Sequence, residues 1–258
     1  MAKIIAVCNQ KGGVGKSTTA VNVGSYLALA GKRTLLIDLD PQRNATTSCG
    51  LKKEQIRNST YDVLVNQTPA TEAIVKTQLD LLDLIPSSLD LAGAEPFLSS
   101  VDGKETILRR ACEPLMDRYE FLLFDCPPAL GLLTVNALVA AHSTMIPVQC
   151  EYLALEGLSS LMQTIGLIKQ RLNPSLKVGG IVLTMTDFRA TLAREVADEV
   201  KRFFKDLVFH TSIPRNVRLA ESPSFGKPIC LYDPNSTGAL AYQLLTQEVM
   251  NKEGVETI

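Results

Sequence analysis

The sequence predicts an α/β fold: a single domain with a doubly wound, mostly parallel sheet and helices on both faces. Apolar runs of strand length alternate with helical patterns along most of the 258 residues, which is the order that builds a parallel sheet. Most of these runs are apolar at successive positions, as expected for strands that are buried on both faces. The first two runs have the spacing of a βαβ unit, and no linker, repeat or low-complexity stretch divides residues 1–258.

The first three elements are the most clearly marked. Residues 4–8 (I-I-A-V-C) are an apolar run that predicts a buried strand, and a glycine-rich turn follows it. A helix is expected over residues 17–30, because Gly31 supplies a C-terminal stop after a pattern rich in apolar residues. Residues 33–40 then predict a second buried strand, which ends in two carboxylates.

The remaining elements continue the alternation after residues 50–80, a polar region with short helical fragments such as 61–65. Apolar runs predict further strands at residues 80–86, 119–125, 143–148, 178–184 and 207–213. Helical patterns predict helices at residues 104–118, 134–141, 156–172, 190–205 and 238–251. A helix between successive strands allows both faces of the sheet to be covered.

Composition and charge exclude several classes of protein. With 46% hydrophobic and 21% charged residues and a net charge of −1, the chain resembles ordinary globular proteins and offers no bulk electrostatic argument for nucleic acid. The six cysteines include no C-x-x-C pair, so we expect buried, reduced thiols rather than ligands of zinc or an iron–sulfur cluster. No signal peptide is recognisable, and no apolar run approaches the roughly 18 residues of a membrane span. The predicted location is the cytoplasm.

A glycine-rich loop, Q-K-G-G-V-G-K-S-T at residues 10–18, joins the first strand to the first helix. Its backbone N–H groups and the helix N-terminus form a cradle that favours an anion. Lys16 is placed to reach the β- and γ-phosphates of a nucleotide, and the Ser17 hydroxyl is placed to bind Mg²⁺. The loop departs from the general pattern G-x-x-x-x-G-K-[ST], because Gln10 replaces the first glycine and Lys11 adds a second lysine.

Carboxylates end two further strands at the edge of the sheet where ligands of open α/β folds bind. Asp125 closes an apolar run and is expected to hold Mg²⁺ through water, although an aspartate in that position also often caps a turn. Asp40 begins a polar loop, and we expect it beside the metal, orienting the attacking water. Asp38 lies two residues earlier on the same face, and is either part of the metal shell or a buried structural carboxylate.

The motif K-G-G-V-G-K-S-T at 11–18 is the deviant Walker A form and resembles the ParA/MinD superfamily. Further blocks, spread over nearly the whole chain, resemble its ParA/Soj branch. They are L-L-I-D-L-D-P-Q at 35–42, F-D-C-P-P at 124–128, V-Q-C-E-Y-L-A-L-E-G-L at 148–158, T-M-T-D at 184–187 and I-P-R-N-V-R-L-A-E-S-P-S-F-G-K-P-I at 213–229. The resemblance implies a P-loop ATPase of chromosome or plasmid partition that uses ATP and Mg²⁺. It further implies an ATP-dependent homodimer, nonspecific binding of double-stranded DNA on the nucleoid, and stimulation by a ParB-like partner.

Position by position, the resemblance assigns roles to residues of the loop and of two later segments. Lys11 is implied to contact the ATP of the partner subunit, and Asp40 to assist hydrolysis. Phosphates and Mg²⁺ are implied to be bound by Lys11, Gly12, Gly13, Val14, Gly15, Lys16, Ser17 and Thr18. The adenine is implied to lie against Pro214, Arg215 and Asn216, and DNA against Arg189 and Arg218. Arg43 stands where the branch commonly has glycine, and its side chain is expected to point to solvent, with a phosphate contact as the alternative.

Charge along the chain is a weaker guide to DNA. Residues 169–227 carry eleven Lys or Arg against six Asp or Glu, in a chain whose net charge is −1. Arg194, Lys201 and Lys205 fall near one face of the predicted helix. A run of this kind is usually a solvated surface, so only the resemblance turns the interpretation toward DNA.

Three other functions are left as alternatives. A MinD-like positioning ATPase that acts at a membrane needs a basic amphipathic C-terminal helix, whereas residues 248–258 are acidic and poorly amphipathic. An iron–sulfur carrier needs bridging cysteines, and Cys126 has no companion at a suitable spacing. A small-molecule kinase is opposed only by the absence of a recognisable substrate lid. The partition ATPase is therefore the preferred hypothesis, with no membrane partner expected.

Overall fold

A computed structural model of the chain describes residues 2–151 and 154–255. Its centre is a seven-stranded sheet in the order β3-β4-β2-β5-β1-β6-β7. The strands are β1 (Lys3–Val7), β2 (Thr34–Asp38), β3 (Val75–Lys76), β4 (Leu82–Ile85), β5 (Phe121–Asp125), β6 (Ser143–Gln149) and β7 (Lys177–Thr184). All neighbouring strands pair in parallel except β3, a two-residue edge strand that runs antiparallel to β4. The predicted mostly parallel α/β fold is confirmed.

Helices lie on both faces of the sheet, so it is doubly wound. They are α1 (Lys16–Leu29), α2 (Asn44–Ser48), α3 (Thr60–Leu64), α4 (Ala94–Ser99), α5 (Ile107–Cys112), α6 (Leu132–Ala140), α7 (Ala154–Arg171), α8 (Thr191–Phe204), α9 (Val217–Glu221), α10 (Ile229–Tyr232) and α11 (Thr237–Lys252). Successive residues of β1 serve opposite cores: Ile4 packs in the core that includes α6 and α7, and Ile5 in the core that includes α1 and α11. Within the described ranges, no helix is long and apolar enough to cross a membrane.

The predicted strand at residues 207–213 is wrong as a regular strand. The segment is extended but makes only isolated bridges to β7 and its end, where Val208 pairs with Ile181 and Pro214 with Thr186. Between the bridges, the backbone N–H groups of His210 and Thr211 each donate to the Glu248 carboxylate at 2.8 Å. Because a side chain of α11 binds these donors, hydrogen bonding to β7 is interrupted between Phe209, which donates to Ile181, and Ile213, which donates to Leu183.

The predicted helix at residues 104–118 is also shorter than expected. Only Ile107–Cys112 is α-helical, and a single 3₁₀ turn lies on each side, over Lys104–Thr106 and Glu113–Leu115. Pro114 has no backbone N–H with which to continue the helix. All six cysteines are buried, as predicted, and none of them is paired in a disulfide.

Three strands of the centre of the sheet end at the same level. Asp125 at the end of β5 lies in register with Val7 of β1 on one side and with Asp38 of β2 on the other. The loop that follows β1 therefore begins beside two buried carboxylates. This juxtaposition builds the candidate site.

Candidate nucleotide-binding site

The loop between β1 and α1 is shaped by glycine and by one asparagine. Gly13 and Gly15 have φ of 75° and 87°, a left-handed conformation that other residues rarely adopt. Asn9 anchors the start of the loop, because its Oδ1 accepts the Lys11 N–H at 3.0 Å and its Nδ2 donates to the Pro147 carbonyl at 2.7 Å. The backbone is thereby held open in front of the N-terminus of α1, as an anion cradle requires.

A cavity of about 490 Å³ lies in front of this loop. Its walls come from the loop itself, from the segment that follows β2, and from three single residues. They are Gly12, Gly13, Gly15, Lys16, Ser17, Thr18, Asp40, Gln42, Asn44, Thr47, Ser48, Pro128, Met185 and Pro223. Val14 is buried beneath the cavity, where its carbonyl accepts the Thr184 hydroxyl at 2.9 Å. We call this space the phosphate cavity.

Lys16 is the buried cation of the phosphate cavity. Lys16 is only 6% exposed, and its Nζ donates a hydrogen bond to the carbonyl of Lys11 at 3.0 Å. Burial lowers the pKa of Lys16, and the nearby carboxylates Asp125 and Asp40 act in the opposite direction. A largely desolvated ammonium interacts strongly with any anion that enters.

Asp125 gives a test of whether a metal fits here. The residue is fully buried, and neither carboxylate oxygen makes a hydrogen bond of good geometry with a described residue, although the Ser17 hydroxyl lies close to them. Burial, together with the charge of Asp38, raises the pKa of Asp125 well above its usual range. Oxygen ligands are those that Mg²⁺ prefers. The Ser17 hydroxyl and the Asp40 carboxylate line the phosphate cavity, and Asp125 lies behind that lining, close enough to Ser17 for the hydroxyl to lower its pKa. The residues present therefore fit a magnesium ion.

Asp38 and Asp40 have different environments despite their spacing. Asp38 accepts three hydrogen bonds, from the Asp40 N–H at 3.1 Å and from the N–H and hydroxyl of Thr46 at 2.8 and 2.6 Å. Burial raises its pKa to about 6. Asp40 instead lines the phosphate cavity and accepts the Gln42 N–H at 2.9 Å. Asp38 thus stabilises the loop between β2 and α2, whereas Asp40 is the carboxylate that faces the phosphate cavity.

Arg43 occupies the position just before α2 with φ of 58°. This left-handed conformation is the one that glycine adopts without strain, which gives a physical reason for the glycine common in the resembling branch. The arginine is half-buried, and its Nε is buried without a hydrogen-bond partner among the residues described. The side chain is thus partly covered, and its orientation toward solvent or toward a phosphate stays a prediction.

A second, smaller cavity of about 200 Å³ adjoins the first and shares Gly15, Thr18 and Met185 with it. Pro214, Arg215 and Asn216 all line it, together with Thr184, Ile213, Leu219, Ala220 and Tyr242. Its lining is mainly apolar, which suits an aromatic base better than a phosphate. Asn216 also begins α9, where its Oδ1 accepts the Leu219 N–H at 3.2 Å. We call this space the side pocket.

Lys11 does not line the phosphate cavity. Its ammonium forms an ion pair with the carboxylate of Glu151, which follows β6, and both side chains are about half-exposed. Gln10 is held on the same side, because its Nε2 donates to the Ser160 hydroxyl of α7 at 3.3 Å. Glu151 was given no role from sequence, although it lies in the motif at 148–158. Residues 152 and 153 of that motif are outside the described residues, as are residues 256–258 of the acidic C-terminal segment.

The two arginines assigned to DNA lie outside both cavities. Arg189 is 91% exposed and binds the Asp187 carboxylate through two nitrogens, at 2.7 and 2.8 Å. Arg218 pairs with Glu221 at 3.0 Å and with Asp233 at 3.4 Å. Each arginine thus has an acidic partner within the chain.

The basic face expected on α8 is only partly formed. Arg194 and Lys201 are exposed on this helix. Lys205 lies beyond its last helical residue and has φ of 44°, so it leaves the helical spacing on which the expectation was based.

Comparison with known proteins finds relatives that match nearly the whole chain. A family model described as an AAA domain matches residues 2–178. The sporulation initiation inhibitor protein Soj of Bacillus subtilis is 52% identical over 249 residues, which cover 96% of this chain and 98% of Soj. The chromosome partitioning protein ParA of Myxococcus xanthus is 51% identical over 98% of this chain and 89% of its own.

Solved structures agree on the fold. The crystal structure described as cobyrinic acid a,c-diamide synthase from Mycobacterium smegmatis, with a bound ATP analogue and magnesium, has a TM-score of 0.85 and 36% identity, and covers 100% of this chain and 98% of its own. The cell division ATPase MinD of Pyrococcus furiosus has a TM-score of 0.81 and 25% identity, with coverage of 97% and 99%. Both resemblances extend over the entire sheet.

Proposed function

The chain belongs to the ParA/Soj family of partitioning ATPases, and on this premise we propose that it works as an ATP-driven DNA-partition switch. Two subunits bind Mg·ATP and close face to face. The dimer binds double-stranded DNA without sequence preference, and a ParB-like partner stimulates hydrolysis and releases it. The observation that carries the proposal is the position of Lys11, whose ammonium is half-exposed at the mouth of the loop and directed to Glu151 rather than into its own phosphate cavity.

Within one subunit, the proposal assigns a role to residues that line the two cavities. The loop N–H groups and Lys16 hold the β- and γ-phosphates, and the side pocket receives adenine against Pro214–Asn216. Ser17 and Asp40, with Asp125 through water, would hold Mg²⁺, which when bound would neutralise charge on the phosphates. Asp40 orients the attacking water, because its carboxylate faces the phosphate cavity.

Lys11 supplies the first test. The variant Lys11→Ala should bind ATP with near-normal affinity, because the side chain does not line the phosphate cavity, yet should fail to dimerise. Nucleotide titration and light scattering with ATP measure the two properties separately. An alanine variant that still forms the ATP-dependent dimer would remove Lys11 from the interface.

The variant Glu151→Gln should have the opposite effect on dimerisation. It releases Lys11 from its ion pair, so dimerisation should occur at a protein concentration lower by about twofold to fivefold, the range expected for an exposed ion pair. Weaker dimerisation in Glu151→Gln would show that the glutamate supports the dimer instead of competing with it.

DNA binding supplies the second test. The charge reversals Arg189→Glu and Arg218→Glu should each weaken DNA binding about tenfold or more. Each should also make the affinity depend less steeply on salt, by the amount expected when about two phosphate contacts per dimer are lost. ATP-dependent dimerisation should be unchanged, since neither residue lines a cavity. Lys177→Glu is the control, because this exposed lysine lies at the start of β7, the opposite end from the phosphate cavity. Equal effects of all three reversals would reject the proposed surface.

The deciding experiment measures retention of the protein on nonspecific double-stranded DNA with ATP, ADP or no nucleotide, across a salt series. Retention that needs ATP, ignores sequence and falls steeply with salt supports the proposal. Retention on anionic lipid vesicles instead of DNA would favour the MinD-like alternative. Binding to neither surface with ATP would contradict both.

A further inference from the structure

Two glycines make a backbone contact between the walls of the phosphate cavity. Gly50 follows α2, and Gly226 follows the short turn Ser222–Phe225. A Cβ atom placed on Gly50 would lie 2.6 Å from the carbonyl oxygen of Gly226, and one placed on Gly226 would lie 2.7 Å from the Cα of Gly50. Carbon atoms in contact normally lie about 3.5–4.0 Å apart. Both the carbon–oxygen and the carbon–carbon distance are too short for a real Cβ atom, so neither glycine can carry a side chain unless the segments separate. We call this the Gly50–Gly226 contact.

The segments that meet here serve different parts of the nucleotide. On one side, α2 and the residues before it supply Asp40, Gln42 and Thr47 to the phosphate cavity. On the other side, the segment that ends at Gly226 supplies Pro223 to the phosphate cavity and Asn216 to the side pocket. The contact therefore fixes the distance between a phosphate-binding wall and the wall of the side pocket.

Conformation alone does not account for these two glycines. Gly50 and Gly226 have φ of 81° and 61°, but Gly103 and Gly254 both have φ of 69°. A Cβ on Gly254 meets no atom of the described residues within 4 Å, and one on Gly103 meets only the Thr106 hydroxyl among them, at 3.5 Å. Backbone strain is thus common to all four positions, whereas the backbone clash distinguishes the first two.

We propose that Gly50 and Gly226 are positioning residues for the ATPase reaction: their contact sets the spacing that lets one ATP occupy the phosphate cavity and the side pocket at once. This inference rests on the proposed placement of adenine in the side pocket. Neither glycine lines the phosphate cavity or the side pocket. Each acts through its own segment, Gly50 through Thr47 and Gly226 through Pro223 and Asn216.

Alanine at Gly226 tests the idea, with Gly254→Ala as the control that adds similar backbone strain without the clash. Mg·ATP spans both spaces, whereas inorganic tripolyphosphate with Mg²⁺ reaches only the phosphate cavity. We expect Gly226→Ala to lose about tenfold in affinity for ATP and less than about twofold for tripolyphosphate, with a raised KM and a reduced kcat. Gly254→Ala should retain both affinities. Equal losses for the two ligands in Gly226→Ala, or none, would overturn the proposal.

Two further variants separate this inference from the placement of adenine. Asn216→Ala should weaken the binding of ATP but not of tripolyphosphate. If ATP binding is unchanged in this variant, the adenine does not lie in the side pocket, whatever the result for Gly226→Ala. Gln78→Ala removes the hydrogen bond of 2.7 Å from Nε2 to the Gly226 carbonyl and the side chain nearest to a Cβ on Gly50. Adding it to Gly50→Ala should not restore ATP affinity, because the clash with the Gly226 carbonyl persists. Full restoration would show that Gln78, not the backbone contact, limits Gly50.

Discussion

Replacing Lys16 with alanine should abolish ATP turnover, lowering it by about a hundredfold or more, the loss typical when a preorganised electrostatic contact to the reacting group is removed. The effect is expected to be large because the Lys16 ammonium is largely desolvated and lies near the buried carboxylates of Asp125 and Asp40. Without it, Asp40 faces the incoming phosphates, and the charge of Asp125 is no longer offset by the Lys16 ammonium. Nucleotide titration and steady-state turnover measure the loss.

Folding must be followed in the same variant. Removing Lys16 takes away the charge that offsets Asp125 and Asp40, so the thermal midpoint of the apo protein is also expected to fall. Lys177→Ala, at an exposed position on the opposite edge of the sheet, controls for loss of a lysine. A Lys16→Ala protein that is folded and hydrolyses ATP normally would refute the phosphate-binding role of the loop.

The strand ends of this fold could be predicted from sequence because their signal is local. The apolar run before the glycine-rich loop, and the one that ends in Asp125, lie next to each other in the sheet as β1 and β5. Parallel α/β topology then places their C-terminal ends together whatever the intervening helices do. For this reason Asp125 and the loop were expected at one site, and the structure places them in register.

The contacts that were missed join residues far apart in the chain. Glu151 forms an ion pair with Lys11, which lies 140 residues away in the chain. Glu248, on the neighbouring helix α11, accepts hydrogen bonds from the backbone N–H groups of residues 210 and 211. Neither leaves a periodic pattern, since each depends on where a single side chain lies after folding. The Gly50–Gly226 contact is of the same kind: each glycine alone resembles an ordinary turn.

Asp40→Ala should separate ATP binding from hydrolysis. Asp40 faces the phosphate cavity and is the carboxylate proposed to orient water, so its loss is expected to slow turnover by about a hundredfold or more. Lys11, Lys16 and the loop are untouched, and the ATP-dependent dimer should therefore form and persist on DNA. Single-turnover kinetics and DNA retention with ATP measure the two halves of this expectation.

The variant Asp40→Asn tests whether hydrolysis needs the charge of Asp40 or only the hydrogen bond that its side chain accepts from the loop. The Asp40 Oδ1 accepts the Gln42 N–H at 2.9 Å, and Asp40→Asn can keep that acceptor while losing the negative charge. If the carboxylate orients water, both variants hydrolyse slowly. If Asp40→Asn turns over normally while Asp40→Ala does not, the residue only shapes the loop, and the water must be oriented by another group of the phosphate cavity. Loss of the dimer in both variants would instead assign Asp40 to nucleotide binding, because the subunits would then fail before chemistry begins.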